Sequence, residues 1–227
     1  MSELPGLCRE ALARPGGAGV LEFEHRWYGW DDLRRVAARL GELVAQSGVA
    51  ADAPVTFIPR NRPWAIAALL ALLGDGRTLR MVYAFQSPAG IIRDIQRLAA
   101  PLVIAEPGEF APEVTAAMAA AGYAGIAVDG LEAAPLAGAE RARADAEYTP
   151  AISGRVEILT SGTTGPPKQF PVEFAMIEKL LAGGTGASPM AAADQPPGLL
   201  YMPIGNISGI YSTIPTLLRG NRAGLLD

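Results

Sequence analysis

The 227-residue chain is long enough for one large domain or two small ones with a substantial hydrophobic core. Half of its residues are hydrophobic and its formal net charge is −4, so we expect no basic face and no nucleic-acid partner. A single cysteine, Cys8, excludes an internal disulfide framework, and one cysteine with one histidine cannot build a metal centre, so no metal ligands are predicted.

Residues 31–129 alternate helical and strand-like segments. The longest apolar run, at 64–73, follows Pro63 in a predicted buried helix and is shorter than the about 20 residues of a membrane span. Because the N-terminus also lacks a signal sequence, we expect a soluble cytoplasmic protein without a membrane span. In chain order, the other predictions here are a helix at 31–48, strands at 54–58 and 77–83, a helix at 88–98, a strand at 101–106, a helix at 112–121 and a strand at 125–129.

The second part of the chain begins with an irregular stretch. Residues 130–150 are rich in alanine and charge and are predicted to be a surface connection or a short exposed helix, with a candidate domain subdivision near 130–153. A strand at 155–159, a helix at 173–182, a loop at 183–197, a strand at 198–202, a helix at 209–218 and an apolar strand at 223–227 follow. This alternation predicts an α/β fold of layered, mostly parallel sheets with helices on both faces. Because the chain ends on an apolar strand, we expect it to be part of a longer protein.

The segment TSGTTGPPK, residues 160–168, directly follows the predicted strand at 155–159. Its glycines allow backbone amides to approach an anion, the hydroxyl groups of Ser161, Thr163 and Thr164 can donate hydrogen bonds, and Lys168 adds a positive charge. The spacing differs from that of a Walker A loop, in which four residues separate the glycines and Lys-Ser/Thr follows at once. The segment therefore predicts a phosphate site, and a plain turn between strand and helix is the alternative.

TSGTTGPPK resembles the phosphate-binding signature of the adenylate-forming superfamily, which includes acyl-CoA synthetases, adenylation domains of peptide synthetases and luciferases. Residues 27–49, 55–78 and 201–226 are similar to other core segments of the family, so the resemblance extends from about residue 24 to the end. It implies that residues 1–227 form an incomplete N-terminal part of the family's large domain. The family's mobile C-terminal domain, with the main adenylation lysine, is absent from this sequence.

The resemblance implies a two-step reaction. A carboxylate attacks the α-phosphate of ATP to give an acyl-adenylate and pyrophosphate, and a thiol of coenzyme A or a carrier protein then displaces AMP. Mg²⁺ is the implied metal cofactor of the complete enzyme, an acid–thiol ligase. No catalytic residue is predicted within this chain, and the chain alone is expected to form no acyl-adenylate. The resemblance assigns the β- and γ-phosphates of ATP to Thr160, Ser161, Gly162, Thr163, Thr164, Gly165 and Lys168.

Several side chains outside the loop also carry predictions. Asn206, in PIGNISG, stands where the family often has a histidine; it is a candidate for the acid-substrate pocket and equally for the cap of the next helix. The apolar composition favours a hydrophobic or aromatic acid over an amino acid. His25 and Cys8 are predicted to be packing or surface residues, and Arg60 and Arg62 to lie in a solvated loop.

Two classes of function remain open from the sequence. The chain is either the N-terminal portion of an acyl-CoA synthetase-like ligase, or a truncated or split relative that binds an acyl group, a nucleotide or a partner without adenylation. An intact-mass measurement of the protein against its reading frame distinguishes a cut chain from a complete one.

Overall fold

The computed structural model describes residues 2–17, 19–152, 154–160, 168–183 and 196–227. Within these ranges the chain forms seven α-helices and eleven strands. The helices are α1 (Leu4–Leu12), α2 (Trp30–Gln46), α3 (Pro63–Gly74), α4 (Pro88–Leu98), α5 (Pro112–Ala121), α6 (Phe174–Gly183) and α7 (Ile207–Leu218). The strands are β1 (Leu21–Phe23), β2 (Arg26–Tyr28), β3 (Val55–Ile58), β4 (Leu79–Met81), β5 (Leu102–Ala105), β6 (Ala124–Asp129), β7 (Glu132–Pro135), β8 (Arg155–Thr160), β9 (Lys168–Glu173), β10 (Gly198–Leu200) and β11 (Ala223–Leu225).

The strands form two mostly parallel sheets, which confirms the predicted layered α/β fold. The larger sheet has the order β7-β6-β5-β3-β4-β8-β9, with five parallel strands in the centre and an antiparallel strand at each edge. The smaller sheet has the order β10-β11-β1-β2, in which only the β1–β2 pair is antiparallel within the described chain. Parallel strands expose their carboxyl ends at one edge, and that edge of the larger sheet carries the candidate site.

Each face of the larger sheet packs into its own hydrophobic core. In β5, Leu102 and Ile104 join the larger core, which also takes side chains from α1, α2, α3 and the smaller sheet. Val103 and Ala105 alternate with them and join the smaller core beneath α4 and α5. Because both faces are covered, β3 and β5 are buried at every position, as is typical of parallel strands.

Proline and small polar residues set where the helices begin. Pro63 and Pro88 occupy first-turn positions of α3 and α4, where a missing N–H costs nothing. The Ser87 hydroxyl oxygen accepts a hydrogen bond from the Gly90 amide at 3.3 Å and caps α4. Although α3 is apolar on all sides, it is buried in the larger core; among the described residues, no helix has the length and hydrophobicity to cross a bilayer.

Three parts of the structure differ from the predicted elements. β1 and β2 form a hairpin where no strands were predicted, and β7 pairs with β6 inside the stretch expected to be a connection or a short helix. Lys168 opens a strand, β9, rather than ending a loop that leads into a helix. The remaining predicted helices and strands are confirmed to within a few residues, except that the predicted loop at 183–197 lies mostly outside the described residues.

Candidate active site

The two ends of the TSGTTGPPK segment lie side by side at the edge of the larger sheet. β8 ends at Thr160 and β9 begins at Lys168, and the two residues are paired in register. The Thr160 hydroxyl donates a hydrogen bond to the Lys168 carbonyl oxygen at 3.1 Å. Both residues are exposed, so the Lys168 side chain is accessible to a ligand.

The remaining predicted phosphate ligands lie between these two residues in the chain. Ser161, Gly162, Thr163, Thr164 and Gly165 fall outside the described residues. The geometry of the site is therefore given by β8, which ends at Thr160, and β9, which begins at Lys168. Of these two strands, β8 lies beside β4, whose Met81 pairs with Ile158, and β9 lies beyond it at the edge of the sheet. Because β4 and β8 are parallel, the segment leaves the sheet at the same edge as the chain that follows β4.

A buried ion pair joins β8 of this hairpin to the neighbouring strand β4. Glu157 of β8 and Arg80 of β4 are 5% and 2% exposed, and 2.8 Å separates Arg80 Nε from Glu157 Oε2. Glu157 also accepts hydrogen bonds from Arg155 Nε at 2.9 Å and Gln169 Nε2 at 3.3 Å. Sequence reasoning missed this group, although Arg80 between Leu79 and Met81, and Glu157 between Val156 and Ile158, were the available signal.

A small cleft of about 50 Å³ opens at the carboxyl ends of β3 and β4, where the two sheets meet. Tyr83 and Phe85 form one wall, with 5.3 Å between their ring centroids, and both are exposed. The Arg60 guanidinium lies 4.8 Å from the Phe85 ring centroid, and Tyr201 from the smaller sheet's side completes the aromatic lining. The cleft is the kind of crevice in which parallel sheets bind ligands.

Arginines beside the cleft are paired with carboxylates, which corrects the prediction of a solvated loop. Arg60 Nε and Arg62 Nη2 lie 3.1 Å and 3.0 Å from Asp227 Oδ2, and Arg62 Nε lies 3.1 Å from Glu106 Oε1. Nearby, burial raises the pKa of the Glu109 carboxyl. The positive charge of Arg60 lowers this pKa, and the negative charges of Glu106 and Asp227 raise it further.

Asn206 caps α7 in this structure. Its side-chain oxygen accepts a hydrogen bond from the Gly209 amide at 2.8 Å, which is the capping geometry that was one of the two roles considered. A role of Asn206 in a substrate pocket stays a prediction. Among the described residues, no group of three or more His, Cys, Asp or Glu side chains is arranged to hold a metal ion.

The fold and the site define an α/β protein with a glycine- and hydroxyl-rich segment at the carboxyl edge of a parallel sheet. A profile of the family described as AMP-binding enzyme matches residues 8–227. The chain therefore belongs to the AMP-binding enzyme family, and the resemblance to adenylate-forming enzymes is confirmed. A search of curated proteins found no match.

Solved structures share this fold. Apo MatB from Rhodopseudomonas palustris is similar with a TM-score of 0.71 and 15% identity, over 100% of this chain and 45% of MatB. ATP-bound MatB from the same organism gives a TM-score of 0.69 and 17% identity, with the same coverage. The amide bond synthetase McbA from Marinactinospora thermotolerans gives 0.69 and 17%, over 98% of this chain and 44% of McbA. The chain spans about half the length of these proteins, and at such identities the likeness establishes the fold.

Proposed function

We propose that this chain binds the β- and γ-phosphates of ATP through residues 160–168. The enzyme to which it contributes activates a carboxylic acid as an acyl-adenylate and then transfers the acyl group to a thiol such as coenzyme A. The observation that carries the proposal is the pairing of Thr160 with Lys168 at the carboxyl edge of a parallel sheet. Membership of the AMP-binding enzyme family and the similarity to ATP-bound MatB support ATP as the nucleotide.

The donor set of the segment fits a polyphosphate. Lys168 supplies an accessible ammonium group, and its contact with the outer phosphates strengthens as negative charge builds on departing pyrophosphate. The Thr160 hydroxyl proton is directed to the Lys168 carbonyl, so Thr160 holds the two strand ends together. Direct donation from Thr160 to a phosphate requires that its hydroxyl rotate away from this carbonyl. Ser161, Gly162, Thr163, Thr164 and Gly165 complete the proposed set.

Further parts of the proposal concern the complete enzyme. Mg²⁺ is its metal cofactor and neutralises phosphate charge when bound. The acid is hydrophobic or aromatic, Asn206 lies near it, and the thiol belongs to coenzyme A or to a carrier protein. The protein resides in the cytoplasm.

Calorimetric titration of the chain with ATP and with pyrophosphate tests the phosphate site. Lys168→Ala should raise the dissociation constant for pyrophosphate roughly ten- to a hundredfold, because a hydrogen bond to a charged group is lost. The matched control is Lys179→Ala in α6, which removes the only other lysine, also exposed, with the same change in net charge. Equal effects of the two substitutions would show that the phosphate site is not at Lys168.

Acid-dependent pyrophosphate release separates an adenylating enzyme from a module that only binds. The 227-residue chain is expected to bind ATP without releasing pyrophosphate when hydrophobic and aromatic acids are supplied. Robust release that depends on the acid would show that this chain performs the first half-reaction itself. Nucleotide binding by a longer form of the protein that also releases no pyrophosphate would support the non-adenylating module.

A further inference from the structure

Glu157 is a buried carboxylate inside the larger sheet, three residues before Thr160. In the register of the parallel strands it stands directly opposite Arg80 of β4, and their side chains form the ion pair described above. Removing two charges from water costs free energy that a buried ion pair often fails to recover. Stability alone therefore gives little physical reason for this pair, and its contacts indicate another role.

Arg80 is fixed by groups from several parts of the chain. Its Nη1 atom donates to the carbonyl oxygens of Leu98 at 2.7 Å, Ala99 at 3.1 Å and Thr149 at 3.0 Å. Its Nη2 atom donates to the Pro150 carbonyl oxygen at 3.3 Å. These carbonyls belong to the C-terminal end of α4 and to the segment that leads into β8. These hydrogen bonds fix the position of the Arg80 guanidinium, which in turn fixes the position of the Glu157 carboxylate.

On its other side, Glu157 contacts β9, the second strand of the hairpin that carries the phosphate segment. Gln169, which donates to Glu157 Oε2, directly follows Lys168 in the edge strand β9. Pro171, the residue of β9 opposite Glu157, has no N–H to donate to the sheet. The side-chain bond from Gln169 thus adds a tie between β8 and β9 where the backbone of β9 lacks a donor.

We propose that Glu157, held by Arg80, is a positioning residue for the phosphate-binding hairpin and sets the place of Lys168 through Gln169. The ligand concerned is the polyphosphate of a nucleotide, and the inference rests on the proposed function. A small displacement of a charged group at such a site weakens its contact with the ligand, so loss of this tie lowers phosphate affinity without removing any group that touches phosphate.

The experiment is a double-mutant cycle in the affinity for pyrophosphate, measured by calorimetry on the 227-residue chain. Gln169→Ala and Glu157→Gln should each raise the dissociation constant about three- to tenfold. The double variant should lose no more than Glu157→Gln alone, because Gln169 acts through Glu157. The matched control is Glu173→Gln, since Glu173 Oε1 lies 3.6 Å from Arg155 Nη1 at the other end of the hairpin. This control should stay within about twofold of the unaltered chain.

Thermal unfolding of each variant and amide hydrogen exchange in β9 accompany the titrations. Gln169 is exposed, so its substitution should leave the melting temperature unchanged while exchange at the start of β9 becomes faster. Independent losses in the double variant, an unchanged constant in Gln169→Ala, or an equal loss in Glu173→Gln would overturn the positioning role alone. Failure of the unaltered chain to bind pyrophosphate, or an unaffected Lys168→Ala, would overturn the proposed function and this inference with it.

Discussion

Cys8 shows how burial can outweigh a nearby positive charge in setting the chemistry of a side chain: Arg9 lowers the pKa of the thiol, and burial raises it by more. It lies in α1 with none of its surface exposed, and burial raises the pKa of its thiol to about 12. At pH 8 the reactive thiolate is then about 10⁻⁴ of the total. We expect Cys8 to resist alkylation in the native protein and to react once the protein is unfolded. Mass spectrometry of samples alkylated with and without urea measures the difference. Complete labelling of the folded protein within minutes would contradict this burial.

The charged carboxylate of Glu109 lowers the free energy of unfolding, and this effect depends on pH. Because burial raises the pKa of its carboxyl above 4.5, the folded state binds a proton more readily than the unfolded state. Relative to the charged form, the protonated Glu109 carboxyl stabilises the folded state. This stabilisation is fully present below pH 4.5 and is lost as the pH rises through the folded-state pKa. Glu109→Gln should therefore raise the free energy of unfolding at neutral pH, and the gain should disappear below about pH 4.5. Urea unfolding at several pH values measures the gain at neutral pH and its disappearance in acid. Glu132→Gln, at an exposed position, is the control.

At the scale of elements, the β1–β2 hairpin is joined by a turn that its residues do not favour. Glu24 and His25 have φ angles of 50° and 62°, and both central residues of a type I′ turn need positive φ. Asn-Gly is the preferred pair for this turn, so replacing Glu24 by Asn and His25 by Gly should stabilise the protein by about 1 kcal/mol.

Urea unfolding gives the change in stability, and His25→Ala is the control because it removes the ring and keeps the strain. If the control stabilises the protein as much as the double replacement, the backbone conformation is not the cause.

The hairpin and two edge strands also show what the sequence could not reveal. The helices α3 and α4 were predictable because proline at the first turn and a run or stripe of apolar residues act locally. β7 and β9 contain Pro135 and Pro171, and proline argues against a strand unless the strand lies at the edge of a sheet. Edge position is set by the whole fold, so short segments do not show it.

The candidate site also combines features that the local sequence reveals with features that only the whole fold sets. Its glycines, hydroxyls and Lys168 are consecutive in the chain, and their composition predicted a phosphate site. Arg80 and Glu157 are 77 residues apart and meet only through the β4–β8 register. Asp227 likewise reaches Arg60 and Arg62 only when the two sheets come together. Contacts of this kind depend on tertiary structure, which periodicity and composition do not specify.

For the whole molecule, Asn61 joins the two sheets. Its Nδ2 donates to the carbonyl oxygens of Met202 at 3.2 Å and Leu226 at 2.7 Å, and its Oδ1 accepts from the Ile204 amide at 3.0 Å. These partners follow β10 and β11 of the smaller sheet, whereas Asn61 follows β3 of the larger one. All side-chain polar atoms of this buried amide are thus used to fix the smaller sheet beside the cleft.

Asn61→Ala should consequently lower the free energy of unfolding by about 2–4 kcal/mol, because backbone groups at the junction of the sheets lose their partner. Asn206→Ala is a matched control: it deletes the same amide but only one bond, at the start of α7, and should cost about 1 kcal/mol. Urea unfolding compares the two variants directly. The Asn61 variant should also show faster amide exchange around Met202 and Leu226, since the smaller sheet loses its attachment there. Equal destabilisation by both replacements, with unchanged exchange at these two residues, would mean that the sheets are held together by apolar packing and that Asn61 adds nothing to their junction.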